Sequence, residues 1–166
     1  MFVSSNYGWE NLHLGLAISL FGLIGVIFLM SFSWILKVVR DIDLVIYGIL
    51  AMAISCLLLV QLSPSHLVPQ YLFYIAMSLM FSTGYPIGHT ALLGVYSKIV
   101  KVGPQGRILS IFGAVGSIAR IVLPLLAGTT AQYLGYNAIF ITAAIFLILA
   151  SSTLFFYRYT VDSIIN

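Results

Sequence analysis

The sequence predicts an all-α fold: a polytopic transmembrane helix bundle of five spans. Of 166 residues, 61% are apolar and only 7% charged, whereas a soluble domain carries about 25% charged residues on its water-facing surface. Mean hydropathy is +1.12. Five apolar runs reach the roughly 20 residues that cross a hydrocarbon core at about 1.5 Å per residue. Four carboxylates and seven Lys or Arg cannot clothe a soluble globule of 18.2 kDa, so a lipid bilayer is the implied partner.

Span A covers residues 11–36 and is preceded by a lumenal or extracellular segment, residues 1–10. That segment lacks a basic region before an apolar run, so it does not read as a signal peptide. Span B covers 44–62, C 68–97, D 108–134 and E 137–157, and a tail of residues 159–166 follows the 11–158 membrane region. Short connections make sequential spans antiparallel. Ser63, Pro64 and Pro69 break the chain between B and C, and Gly103, Pro104 and Gly106 break it between C and D. Tyr133, Tyr136, Tyr157 and Tyr159 fall near span ends, where amphipathic rings favour the headgroup level.

The charges orient the bundle. Lys37, Arg40, Asp41 and Asp43 stand between A and B; Lys98, Lys101 and Arg107 stand between C and D; Arg158 follows E. The B–C and D–E connections carry no Lys or Arg. Six of the seven basic residues thus fall on one side, which the positive-inside rule makes cytoplasmic, together with the C-terminus. The pI of 9.1 therefore reports membrane orientation and implies no nucleic-acid partner. The single Cys56 excludes an internal disulfide, and no Cys/His cluster has metal-ligand spacing, so neither metal nor cofactor is implied.

The seventh basic residue, Arg120, lies near the middle of span D. Centring an Arg there costs about 2.5–3.5 kcal/mol on insertion scales, so it should face protein or water. Pro124 cannot donate to the carbonyl of Arg120, four residues back, which predicts a bend at the charge. Gly113 and Gly116 offer thin surfaces to another helix. Because no Asp or Glu lies inside the five spans, Arg120 must meet carbonyls or hydroxyls, an acid outside this chain, or an anionic ligand. One reading makes it a lock between helices, the other a cation in a substrate or gating path.

Span C carries the second constellation. Ser78, Ser82, Tyr85, His89 and Tyr96, spaced 4, 3, 4 and 7 residues apart, share one face of a regular helix. Pro86 frees the Ser82 carbonyl, and Gly84 with Gly88 forms a small-xxx-small pair for close helix contact. His89 reads as an interhelical histidine or as a proton-linked or ligand-contacting group, since a histidine titrates near neutral pH. Pro86 and Pro124 predict two broken helices at mid-depth, a device that exposes backbone polar groups to substrate. Spans B and E, poorer in polar groups, read as lipid-facing or packing helices.

These residues carry a resemblance. Tyr96-Ser97-Lys98, Gly103-Pro104-Gln105-Gly106-Arg107, Gly113-x-x-Gly116-x-x-Ala119-Arg120 and Pro124 resemble the tenth and eleventh spans of major facilitator superfamily transporters. Within it the chain resembles the lysosomal major facilitator superfamily domain-containing protein 8 group and the SPX-domain vacuolar phosphate transporters. Tyr7-Gly8-Trp9 is similar to the approach to that group's eighth span. Two departures stand out: Leu123 where the pattern usually has Gly before the proline, and a loop from Lys37 to Asp43 lacking the glycine of the gating motif.

The resemblance implies spans eight to twelve of twelve, a missing N-terminal half and seventh span, and a small-molecule or ion substrate held at mid-depth between two halves. It also implies that the tenth and eleventh spans line the cavity while the ninth and twelfth sit peripherally, and that the membrane is endolysosomal or vacuolar. The function so implied is a non-enzymatic one: the C-terminal portion of a secondary transporter, with Arg120 favouring an anion. The alternative is a stand-alone five-span scaffold or regulatory membrane protein from a truncated gene. An intramembrane hydrolase is disfavoured, since the chain has no Gly-x-Ser-x-Gly motif and no intramembrane carboxylate.

Overall fold

The computed structural model describes residues 8, 10–35, 39–60, 69–99 and 105–165. Among them all regular structure is helical. Helix α1 runs Asn11–Ile35, α2 Asp41–Leu58, α3 Gln70–Met77, α4 Tyr85–Ile99, α5 Gln105–Leu134 and α6 Tyr136–Ile165. A π-helical segment, Ser78–Gly84, joins α3 to α4 without a gap. Lys37, Lys101 and the turn residues Ser63, Pro64, Gly103 and Pro104 lie outside the described residues, as do Tyr7 and Trp9.

Among the described residues, four α-helices are long and apolar enough to cross a membrane: α1 over Leu12–Ser31, α2 over Asp41–Leu58, α5 over Leu109–Leu134 and α6 over Tyr136–Thr160. Span C is also helical throughout the described residues 70–99, but in three contiguous segments, none of which alone has the length to cross. Its helical path from residue 70 to 99 is about 45 Å long at 1.5 Å per residue. However, it is divided into three segments and is more polar than the others. The cause is local. Pro86 has no N–H for the Ser82 carbonyl, and the ladder widens upstream of it, so that the Tyr85 N–H donates to the Met80 carbonyl five residues back.

The helix ends also shift from expectation. Helix α2 starts three residues early, because Asp41 and Asp43 in its first turn favour the positive end of the helix dipole. Arg40, just before this turn, donates its Nε–H to Asp43 Oδ2 at 2.8 Å. Helix α6 continues to Ile165, so the expected tail is helical. On the way the Arg158 guanidinium lies over the rings of Phe155 and Tyr159, at 4.2 and 4.7 Å. Between α5 and α6 a single residue, Gly135, suffices. Its φ of +82° suits only glycine, and its N–H closes α5 on the Ala131 carbonyl at 3.1 Å.

The packing centre is α2, which lies against α6, α4 and the π segment. Gly48 makes the closest approach: a Cβ placed there would lie 2.6 Å from Gly88 Cα and 2.9 Å from the Gly84 carbonyl oxygen. Gly84 and Gly88 therefore stand at a close helix contact, with Gly48 as their counterpart. Without a hydrophobic drive between helices in lipid, such backbone approach and interhelical hydrogen bonds supply the association. Ser55, fully buried, donates to the Ala76 carbonyl at 2.6 Å. At one end Leu44, Val45, Ile87, Ala91 and Val95 form a core with Leu154 of α6 against it. At the other, Leu59, Phe73 and Ala76 pack with Phe140. The small buried residues Ala144 and Ser151 fall on the same stripe of α6. Span B is thus no peripheral element within this chain.

Helix α5 differs. It touches α6 but has little contact with any other helix, and none of its described side chains is buried. A Cβ at Gly113, Gly116 or Gly128 would meet nothing within 4 Å among the described residues. Pro124 lies inside α5 without ending it, and helix continues for ten further residues. Helical assignment is thus continuous through Pro124, whereas a π segment precedes Pro86.

Candidate functional site

The polar stripe expected along span C is divided by the π segment. A π turn advances the chain by more residues than an α turn, so positions on either side of it no longer share one face. Ser82 is fully buried and donates across to the Phe21 carbonyl of α1 at 2.8 Å. Gly25 of α1 sits against the same segment, its Cβ position 3.5 Å from the Phe81 carbonyl oxygen. Ser78 lines an open groove between α1 and this segment with Phe21, Ile24, Tyr74 and Thr83. Ser78 and Ser82 therefore belong to the α1 side.

Tyr85 and His89 form a pair on α4, of which His89 reaches α5. Their rings stack four residues apart on α4, with centroids 5.5 Å apart and planes inclined by 27°. Phe112 of α5 approaches His89 at 6.3 Å and Tyr96 at 5.1 Å. Together they make a continuous band of four rings across two helices. Tyr85 is 49% exposed. Phe112 escaped sequence reasoning; a signal existed, since it lies one helical hairpin away from Tyr96 on an otherwise aliphatic stretch of span D.

The ring contacts also set the depth of Arg120. The two helices run antiparallel, and Phe112 stands level with the interval between His89 and Tyr96. Arg120 lies eight residues farther along α5, about 12 Å at 1.5 Å per residue, which brings it level with Tyr85. It lies about 80° round the helix from Phe112, at about 100° per residue. Its side chain is exposed and makes no hydrogen bond or ion pair among the described residues. The Tyr85 hydroxyl and the His89 ring nitrogens likewise have no hydrogen-bond partner there. Ser117, the hydroxyl nearest Arg120 on α5, is occupied by its own helix, donating to the Gly113 carbonyl at 2.9 Å. The structure thus joins Tyr85 and His89 to Phe112, leaves Ser78 and Ser82 against α1, and shows no contact between Arg120 and any of them.

At one end of the bundle stand the loop charges. Lys98, in the last turn of α4, pairs with Asp41 in the first turn of α2, and Gly94 leaves room beside the Asp41 carboxylate. Arg40 pairs with Asp43 at 2.8 Å, while Arg107 is exposed in the first turn of α5.

An integral multi-pass membrane protein follows from the apolar helices, their glycine-mediated packing and the charges gathered at their ends. The chain belongs to the Major Facilitator Superfamily, a family of transporters, whose family model matches residues 1–164. No curated protein and no solved structure matches the chain.

Proposed function

We propose that this chain supplies part of the solute path of a secondary transporter, and that the solute is a small anion held between α4 and α5. The observation that carries the reading is Arg120: a guanidinium at the depth of Tyr85, with no carboxylate to meet it among the described residues. A cation in a bilayer needs a partner, and an anionic solute is one that can arrive and leave. Family membership supports alternating access, in which one helix bundle rocks against another around a central site.

In this reading the helical path 70–99 is the fifth span, and the five spans correspond to the eighth to twelfth of a longer transporter whose other half completes the site. The ends bearing Lys98, Arg107 and Arg158 face the cytoplasm, as the positive-inside rule favours. Residence in an endolysosomal or vacuolar membrane draws its support from the motifs at 96–107 and 113–124 alone.

Uptake by the full-length protein in sealed vesicles tests the anion reading. Arg120→Gln is expected to reduce anion uptake at least ten-fold, with Arg120→Lys intermediate, because an ammonium keeps the charge but loses the planar fork. Unchanged uptake in both variants sinks the reading.

A further inference from the structure

The widened turn of span C stands between two docked ends. On the side of α3, Ser55 of α2 donates to the Ala76 carbonyl at 2.6 Å, and Leu59 packs with Phe73 and Ala76. On the side of α4, Gly48 of α2 meets Gly84 and Gly88, and Leu44 and Val45 pack with Ile87, Ala91 and Val95. Ser82, fully buried, is fixed from α1 by its bond to the Phe21 carbonyl. Between these anchors lie Ser78, Leu79, Met80 and Phe81. None of the four is buried, and Ser78 and Leu79 border the open groove of about 550 Å³ beside α1.

We infer that this stretch is a rotary switch. The π bulge migrates from its place before Pro86 toward α3, and residues 78–81 turn by about 100° while both ends of span C stay docked. The inference goes beyond the anion reading and does not depend on it.

A π bulge is one residue more than a continuous α-helix between the same ends would hold. Wherever that surplus sits, a carbonyl takes its N–H from five residues on, as Met80 does from Tyr85. Moving the bulge exchanges one set of backbone bonds for an equal set, so the ladder stays satisfied, as a bilayer requires. Residues that the bulge passes leave the phase of α3 and join that of α4. That is a turn of one residue, about 100°. Residues outside its travel keep their places. Pro86 bounds the travel at one end, because it has no N–H and the widened ladder rests against it. The Ser55–Ala76 bond bounds it at the other. After the turn, Leu79 stands where Ser78 stood, and Phe81, now 49% exposed, takes the half-buried place of Met80. The groove beside α1 thereby exchanges a hydroxyl for an aliphatic chain. Such a turn happens inside one bundle, whereas rocking moves one bundle against another.

Fluorine NMR of the full-length protein in lipid nanodiscs tests the switch, with Phe81→Cys carrying a trifluoromethyl tag and all other cysteines replaced by alanine. Two resonances are expected. Deleting Met80 removes the surplus residue and leaves the docked ends in their present phase. The second resonance should then fall at least ten-fold, while tags placed through Tyr71→Cys on α3 and Ile99→Cys on α4 keep their spectra. Deleting Leu79 instead should do the same, which guards against a packing fault peculiar to one deletion. Helical circular dichroism checks that the variants fold. A single resonance at position 81 in the undeleted protein overturns the inference. A splitting that survives deletion does so too, as does one that positions 71 and 99 share and lose together, since the whole span would then be moving. If neither deletion variant folds, the docked ends need the extra residue for their phase, and the inference also falls.

Discussion

Helices α2 and α5 have similar apolar composition and opposite fates. Helix α2 is enclosed, its Gly48 against the backbone of Gly84 and Gly88 and its Ser55 bonded across to Ala76. Helix α5 presents Gly113, Gly116 and Arg120 to open space and touches its neighbours mainly through α6 and the Phe112 ring. A glycine in a membrane helix is thus a permission for contact. Whether contact occurs depends on a second glycine or small residue standing at the same depth on the facing helix. Gly48 meets Gly84 and Gly88; the glycines of α5 meet none among the described residues.

The largest effect that could break this contrast is steric. Gly48→Leu forces backbone apart at a 2.6 Å approach and is expected to cost about 3 kcal/mol or more, since overpacking already costs about 1–3 kcal/mol where side chains can yield. Gly113→Leu should stay within about 0.5 kcal/mol, as surface changes do. Unfolding in mixed micelles compares the two. Equal losses would dissolve the contrast, and a large loss at Gly113 in the full-length protein alone would show that α5 is covered by further helices.

Hydroxyls should give a smaller difference. Ser55→Ala and Ser82→Ala remove buried bonds between helices, for which about 0.6 to 1.7 kcal/mol is expected in a membrane protein. Ser117→Ala removes a bond within its own helix and should change stability little. The same unfolding assay sharpens the comparison if the order is Ser82 or Ser55 above Ser117, and breaks it if Ser117 matters most.

The smallest effect is expected at the charged end. Asp41→Asn breaks the pair with Lys98, a half-exposed contact worth up to about 1 kcal/mol. The loss should shrink in 1 M salt, where the screening length falls to about 3 Å. A charge exchange, Asp41→Lys with Lys98→Asp, should restore only part of the stability, because a lysine opposes the helix dipole in the first turn of α2. A loss indifferent to salt would show that Asp41 acts through packing rather than charge.

Much of the fold was legible in the chain. Hydrocarbon length, the small-xxx-small pair at Gly84 and Gly88, and the gathering of charge at helix ends are one-dimensional signals. Less of the candidate site was legible. The stripe from Ser78 to Tyr96 assumes a constant 3.6 residues per turn, and the π segment upstream of Pro86 breaks that assumption between Ser82 and Tyr85. Proline marked where the ladder would fail but not how it would be repaired. At Pro124 the same residue type left α5 continuous, which its position in the sequence did not distinguish.

By itself the sequence determined the solvent, the class of fold and the charged end, because each depends on composition and on spacing along one helix. Tertiary structure alone decided that α2 is the packing centre, that Ser82 serves α1 while His89 meets α5, and that Phe112 joins the rings into one band. Those facts depend on which residues reach the same depth on different helices. That is a relation between helix positions in three dimensions, fixed by close backbone approach at glycine and by the phase shift of a single π turn.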